Sequence, residues 1–542
     1  MKLIALAVVV LFTACRREVP HGFAGSWLSL PVELHGEAQG MAPHWSVVGK
    51  GGAVSSANAL ASEAGASILR RGGNALDALL AVQWVLSVVE PQSSGLGGGG
   101  FLLYYETKTG KVYALDGREQ APAAIRADTF LAADGKPLPF MDRLAGARAV
   151  GVPGTVALLS AAHRRFGNFA FRETFARAIE LAELGFRVSP RLSQAMRINR
   201  DRLLKQNGSS VPLLRSGEAY AVGEILVQSE LAATLKRLRD YGEADFYHGS
   251  IAADILATVS KNTLFASAMT ADDLKNYKAI ERPVEKRKTG AAELYSVSAP
   301  ASGKATLAAI GATNSTKDDR ALIISSLAAQ RSALVEREKT LQDPGFAKST
   351  EAQNTTHVAI ADAEGNIVSY TSSVETSLGS CLFVHGRGFI LNNQLSDFNP
   401  QAKQMNSAEG GKRPKSSMSP LILRQSDGSF TALGSPGGAT IVGSVALTAS
   451  RILAGHEIQD AINMPRAIGM PNGKVLVELP LKRDGNFLAA LRRAGFDADL
   501  RRNVVSLGSV QAVSFNPRSG LFTAASDLRR EGLALVVDPQ VE

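Results

Sequence analysis

Asn354-Thr355-Thr356-His357 puts two hydroxyls and an imidazole in consecutive positions. A hydroxyl is a strong nucleophile only when a base takes its proton and nearby donors hold the charge that develops on the attacked carbonyl. By itself the pair is ordinary, since Thr is a good strand residue. The segment that carries it reads as a β-hairpin. Val358-Ala359-Ile360-Ala361-Asp362 runs into a turn at Ala363-Glu364-Gly365-Asn366, and Ile367-Val368-Ser369-Tyr370-Thr371 runs away from it, the pattern of two buried or half-buried strands. Three polar, glycine-bearing runs follow: Gly388-Phe389-Ile390-Leu391-Asn392-Asn393-Gln394-Leu395-Ser396-Asp397-Phe398, then Gly411-Lys412-Arg413-Pro414-Lys415-Ser416-Ser417-Met418-Ser419-Pro420, then Gly434-Ser435-Pro436-Gly437-Gly438.

Taken with the Thr-Thr-His start, the order and spacing of these runs closely resembles the small subunit of γ-glutamyltranspeptidases, also called glutathione hydrolases. The resemblance continues upstream over nearly the whole mature chain. It implies that Thr355 is both the point of autocleavage and the N-terminal nucleophile. Thr suits both steps. Its hydroxyl can attack the carbonyl of Asn354 through an ester, and the freed α-amine, with an ordinary pKa near 7.7–8.0, then serves as the general base beside its own hydroxyl.

The resemblance implies further roles at matching positions. Ser373 stands where the family has a Thr that hydrogen-bonds the nucleophile's amine. Gln394 and Asp397 match the residues that hold the donor's α-ammonium, and Ser416 and Ser417 match those that join Arg118 on its α-carboxylate. Arg rather than Lys fits that task, because a guanidinium pairs bidentately with a carboxylate. Gly437 and Gly438 match the oxyanion hole. Two departures stand out. Glu375 replaces the Asn of well-known members and adds a second carboxylate to the ammonium pocket, and residues 398–411 are too few for the long lid loop of some relatives.

The rest of the chain must position these groups. After two strands around a glycine turn (46–48 and 53–56), residues 59–71 read as a helix stopped by Gly72-Gly73, and Asn74 as the cap of a second, 75–89, apolar nearly all round and hence buried. Gly95-Leu96-Gly97-Gly98-Gly99-Gly100 matches the dinucleotide fingerprint literally, but a helix precedes it and a strand follows, the reverse of what that motif needs. It resembles part of the family's large-subunit signature instead, and Arg118 with its neighbours and Gly151-Val152-Pro153-Gly154-Thr155 also match the family. From there to about residue 280 the periodicity is mainly helical, with covering helices at 174–184 and 229–239. Pro300-Ala301-Ser302-Gly303-Lys304-Ala305 resembles a degraded form of the family's Pro-Ser-Ser-Gly-Gly element. The stretch from there to Thr355, shorter than the family leads one to expect, contains a helix at 319–342 and a polar run at 347–354.

At the amino end, Met1-Lys2 and the apolar run 3–12 are too short to span a bilayer and fit a signal-peptide core. They end in Phe12-Thr13-Ala14-Cys15, which resembles a bacterial lipobox. Cys15 would then carry lipid, and the protein would be held outside the cytoplasm, periplasmic or on the cell surface. An ordinary secretory signal cleaved nearby is the alternative. The only other cysteine is Cys381, so an acylated Cys15 leaves no internal disulfide.

The expected organisation is a signal peptide (1–14), a tether (15–45), a large subunit (46–354) and a small subunit (355–542). The expected fold is an α+β, N-terminal-nucleophile hydrolase sandwich of two stacked antiparallel sheets flanked by helices. The net charge of +9 comes without a long basic block or interleaved aromatics, which argues against nucleic acid as a partner. The eight histidines are scattered and form no metal motif, and no cofactor is implied. The leading expectation is γ-glutamyl transfer from a glutathione-like donor to water or an amine. A glutaryl-type acylase on the same scaffold and a non-catalytic, lipid-anchored binding protein are the competing readings.

Overall fold

A computed structural model describes residues 46–144, 146–209, 211–262, 266–341, 355–401, 404–470, 472–500 and 507–538. Cys15, the signal and tether segments, the polar run 347–354 and Asn354 lie outside the described residues.

In chain order the main elements are β1 (Val47–Gly49), β2 (Gly52–Ser56), α1 (Ala59–Arg70), α2 (Ala75–Val89), β3 (Gly99–Glu106) and β4 (Lys111–Gly117). After α3 (Thr155–Phe166) and further helices come β5 (Ile280–Arg282), β6 (Val284–Thr289), β7 (Ala292–Val297), α4 (Gly303–Ala312) and α5 (Asp319–Thr340). The last third holds β8 (Thr355–Asp362), β9 (Ile367–Ser373), β10 (Leu421–Arg424), β11 (Phe430–Gly434), α6 (Ile441–Leu453), β12 (Gln511–Asn516), β13 (Leu521–Ser526) and β14 (Leu533–Val536).

Two seven-stranded sheets form, in the orders β1-β13-β12-β11-β10-β7-β6 and β14-β2-β8-β9-β3-β4-β5. Every pairing in them is antiparallel. The expected sandwich is the fold. Both expected strands around the glycine turn form, and β1 and β2 do not pair with each other. β1 lies against β13 in one sheet, and β2 joins β8 and β14 in the other. The chain crosses between the layers there, and no local pattern reports a partner more than 400 residues away in sequence.

The period-2 alternation of β8 assigns its side chains to two layers. Val358 and Ile360 join the core under α1 and α2, whereas Ala359 and Ala361 join the core shared with the other sheet. Thr355 and His357 share the parity of the second set, and Thr356 that of the first. Each α2 residue is buried, and its start is fixed by a capping box between Asn74 and Asp77. Trp84, stacked on Phe175 with ring centroids 4.7 Å apart, donates from Nε1 to Thr174 Oγ1. Its truncation to Ala would cost about 3–5 kcal/mol. The expected helix 174–184 begins as a 3₁₀ turn at Phe171–Phe175 and becomes α-helical over Ala176–Leu184. The expected helix 319–342 runs from Asp319 to Thr340, capped by Asp318.

Candidate functional site

The hairpin β8–β9 sets Thr355 opposite Ser373, and Thr355 Oγ1 donates to Ser373 Oγ at 3.4 Å. The same Ser373 oxygen accepts from the backbone N–H of Glu375 at 2.9 Å. That contact helps hold Glu375 at φ +83°, a left-handed conformation uncommon for Glu and found most often where surrounding structure enforces it. Thr355, Ser373 and Glu375 line a pocket together with Arg118, Asp397, Ser416, Ser417, Met418, Gly438 and Ile441. Residues scattered over more than 300 positions of sequence thus meet at one end of the central strands.

Arg118 follows the end of β4. Its backbone N–H donates to Asp116 Oδ1 and its carbonyl accepts from the Tyr277 hydroxyl. Its guanidinium donates from Nη2 to Asp397 Oδ2 at 2.6 Å and to the Lys415 carbonyl at 2.8 Å, and from Nε to the Pro414 carbonyl at 3.1 Å. Gln394 Nε2 lies between two carboxylates and donates to Glu375 Oε2 at 2.6 Å and to Asp397 Oδ2 at 2.7 Å. One amide therefore offsets the repulsion that two buried carboxylates would otherwise exert.

Ser416 and Ser417 are clamped from the region before Thr355. The Ser416 N–H donates to the Pro300 carbonyl, and the Ser302 hydroxyl donates to the Ser416 carbonyl at 2.5 Å. Arg337, near the end of α5, donates from Nε to Ser302 Oγ at 2.7 Å and from Nη2 to Ser417 Oγ at 3.1 Å. The degraded Pro300–Ala305 element thus keeps a positioning contact through Ser302. Neither Arg337 nor this use of α5 was legible in the sequence, where a single arginine in an amphipathic helix reads as a solvated side chain.

Gly437 (φ +130°) and Gly438 (φ +54°) form the turn that leads into α6. Both conformations favour glycine, and a Cβ on Gly437 would collide with Thr440 Oγ1. Their N–H groups sit at the amino end of a helix, where the backbone dipole favours negative charge. Gly438 lines the pocket itself.

Two buried ionisable groups flank the site. Glu119 is wholly buried beside Arg118, with 3.8 Å between Oε2 and Nη1. Burial pushes its carboxyl up to about 8 against the pull of Arg118, so it is mostly protonated at neutral pH. His357 has its Nδ1 2.9 Å from Thr371 Oγ1 between the sheets, and burial pushes its pKa down to about 3. It is a neutral structural imidazole, two residues from Thr355. Among the described residues no group of three or more His, Cys, Asp or Glu is arranged to hold a metal ion. No described helix is long and apolar enough to cross a membrane.

The arrangement offers a hydroxyl nucleophile, an anion-stabilising turn, and a pocket with a cationic and an anionic side. A family model described as gamma-glutamyltranspeptidase matches residues 61–350 and 312–537. The chain is 32% identical over 550 aligned positions to the glutathione hydrolase proenzyme of Bacillus subtilis (strain 168), covering 91% of this chain and 92% of the relative. It is 31% identical to the glutathione hydrolase proenzyme of Escherichia coli (strain K12), covering 89% and 90%. The crystal structure of a cephalosporin acylase from Bacillus halodurans superposes with a TM-score of 0.83 at 24% identity, over 92% of this chain and 98% of that one. This last likeness speaks to the fold alone.

Proposed function

We propose, from the premise that this chain belongs to the gamma-glutamyltranspeptidase family, that it is a self-processed enzyme cleaving γ-glutamyl amides of glutathione-like donors. The observation that carries the reading is the pocket beside Thr355, in which Arg118 faces Asp397 and Glu375. An α-amino acid end presents a carboxylate and an ammonium on one carbon, and this pocket supplies a partner for each. A glutaryl amide lacks the ammonium, so Asp397 and Glu375 would have no purpose in a glutaryl acylase. A binding protein without catalysis would have no use for a hydroxyl at the Gly437–Gly438 turn.

In the proposed mechanism the precursor splits between Asn354 and Thr355, giving a large subunit 46–354 and a small subunit 355–542. The Thr355 α-amine then takes the proton of its own hydroxyl as Oγ1 attacks the γ-carbonyl carbon of the donor. Gly437 and Gly438 donate to the resulting oxyanion, a contact worth about 2.7–4 kcal/mol of barrier per donor. Collapse breaks the amide C–N bond, and the leaving amine receives the proton held by the α-amine. Water or an amine acceptor, deprotonated by the same group, releases the γ-glutamyl ester. Ser373 orients the nucleophile. Arg118, Ser416 and Ser417 hold the donor carboxylate, and Gln394, Asp397 and Glu375 organise the ammonium side.

Residues 1–15 fit delivery outside the cytoplasm with lipid on Cys15, which would tether the enzyme to a membrane without a spanning helix. The test of the activity is release of aniline from a γ-glutamyl anilide by the purified two-chain protein. A preparation that stays one polypeptide and leaves this substrate intact would overturn the reading.

A further inference from the structure

Strand β2 ends at Ser56, opposite Val358, so among the described residues the first three of β8 have a neighbouring strand on one edge only. On the other edge the turn between β13 and β14 brings up Arg530, whose Nη1 donates to the Thr355 carbonyl at 2.6 Å. A strand carbonyl left without a ladder partner in a buried position needs a donor, and here the donor carries a full charge. Arg530 is itself nearly buried, with its side chain 11% exposed.

Behind it lies a network from three other elements. Glu90, at the carboxyl end of α2, is 3.9 Å from Arg530 Nη1 and forms an ion pair with Arg191. Its other oxygen accepts from the Thr356 hydroxyl at 3.0 Å. Arg191 also donates to Ser93 Oγ, and its backbone N–H donates to Glu531. Asp527, on the same turn as Arg530, is occupied by Arg466 and Arg529. The charges on the pocket side of Thr355 are Arg118, Asp397 and Glu375. Burial first, and then the neighbouring Arg191, push the Arg530 pKa down to about 9, and at neutral pH it remains a cation.

We propose that Arg530 is a positioning residue for the nucleophile: it fixes the Thr355 backbone and lowers the proton affinity of the α-amine that cleavage releases. The inference rests on Thr355 being that nucleophile. A cation bonded to the carbonyl of the same residue disfavours the ammonium form of the amine, and only the neutral amine can accept the hydroxyl proton. The base is thereby kept available at lower pH than a free N-terminus would allow. Glu90 works in the opposite sense by partly compensating the charge, while it also holds Thr356.

The experiment is the pH dependence of kcat/KM for a γ-glutamyl anilide, measured on the mature two-chain protein. Its acidic limb reports the base of the free enzyme. Arg530→Gln should move that limb up by about 0.5–1 pH unit, as expected for loss of one nearby charge. Arg530→Lys, which keeps the charge, should leave the limb in place while lowering kcat. Glu90→Gln should move it down, and its sign decides the matter should Arg530→Gln fail to mature. A limb that stays fixed in all variants, moves equally in Gln and Lys, or moves up in Glu90→Gln overturns the role of Arg530. A wild type inactive on the anilide would instead overturn the underlying assignment of Thr355.

Discussion

Arg118 Nη2 lies 2.6 Å from Asp397 Oδ2, so the guanidinium and the carboxylate proposed to grip opposite ends of one amino acid grip each other. Both are buried. Removing one partner of a buried pair typically costs about 3–5 kcal/mol, and Arg118 retains two backbone carbonyls as acceptors. Asp397→Asn should therefore fall at the lower end of that range, seen as a drop in Tm, and should raise KM for a γ-glutamyl anilide. Unchanged Tm and KM together would mean that the pair has neither role.

Autocleavage at Asn354–Thr355 is the second expectation. The lighter chain should contain 188 residues (542 minus 354) and should begin Thr-Thr-His-Val-Ala on sequencing. Thr355→Ala should remain one polypeptide without activity, because no hydroxyl is left to attack the preceding carbonyl. Cleavage of that variant at the same bond would refute the assignment.

How much of this was legible in the sequence depended on how local the physics was. The β8–β9 hairpin follows from alternation around a Glu-Gly-Asn turn, and α2 from an apolar run after a capping Asn. Both depend on residues within a few positions of one another. The separation of β1 from β2 could not be read, because each finds its partners across the chain. At the site, Thr355, Arg118 and the paired glycines carry recognisable neighbours. Arg530 and Arg337 do not: each is one arginine among many, and its role comes from the carbonyl or hydroxyl that the fold presents to it.

His357 gives a pH prediction of definite sign. Its pKa is about 3 in the fold and about 6.5 when unfolded. Below pH 6.5 the unfolded chain binds a proton that the folded chain does not, so stability falls as pH drops from 6.5 towards 3. The slope is about 1.4 kcal/mol per pH unit, or about 2 kcal/mol lost by pH 5 from this one group. Denaturant unfolding of wild type and His357→Asn at pH 7 and pH 5 checks it. The variant should lose less stability between the two, and equal losses would count against a buried neutral imidazole.

Cys15 is the proposed site of lipid attachment. Wild type grown with a labelled fatty acid should carry the label, and Cys15→Ser should lose it and enter the soluble fraction or keep its signal peptide. An unlabelled wild type would favour the ordinary secretory signal and leave the enzyme assignment untouched.

Donor selection turns on Glu375. Its carboxylate accepts from Gln394, the same amide that holds Asp397. Its backbone is fixed in a left-handed conformation by the Ser373 hydroxyl, which also accepts from Thr355. The carboxylate is therefore placed from the strand pair that carries Thr355, in the pocket proposed to take the donor's ammonium. γ-Glutamyl and glutaryl anilides differ only in the α-amino group, so their ratio isolates this contact. Glu375→Gln keeps the shape and removes the charge. Loss of a charge-assisted hydrogen bond of about 1.5–3 kcal/mol corresponds to roughly a 10- to 150-fold fall in kcat/KM. That fall is expected for the γ-glutamyl anilide, with the glutaryl anilide unchanged or improved, and Glu375→Asn should act in the same direction. An equal loss on both substrates would make Glu375 a structural residue, and a wild type that prefers the glutaryl anilide would favour an acylase.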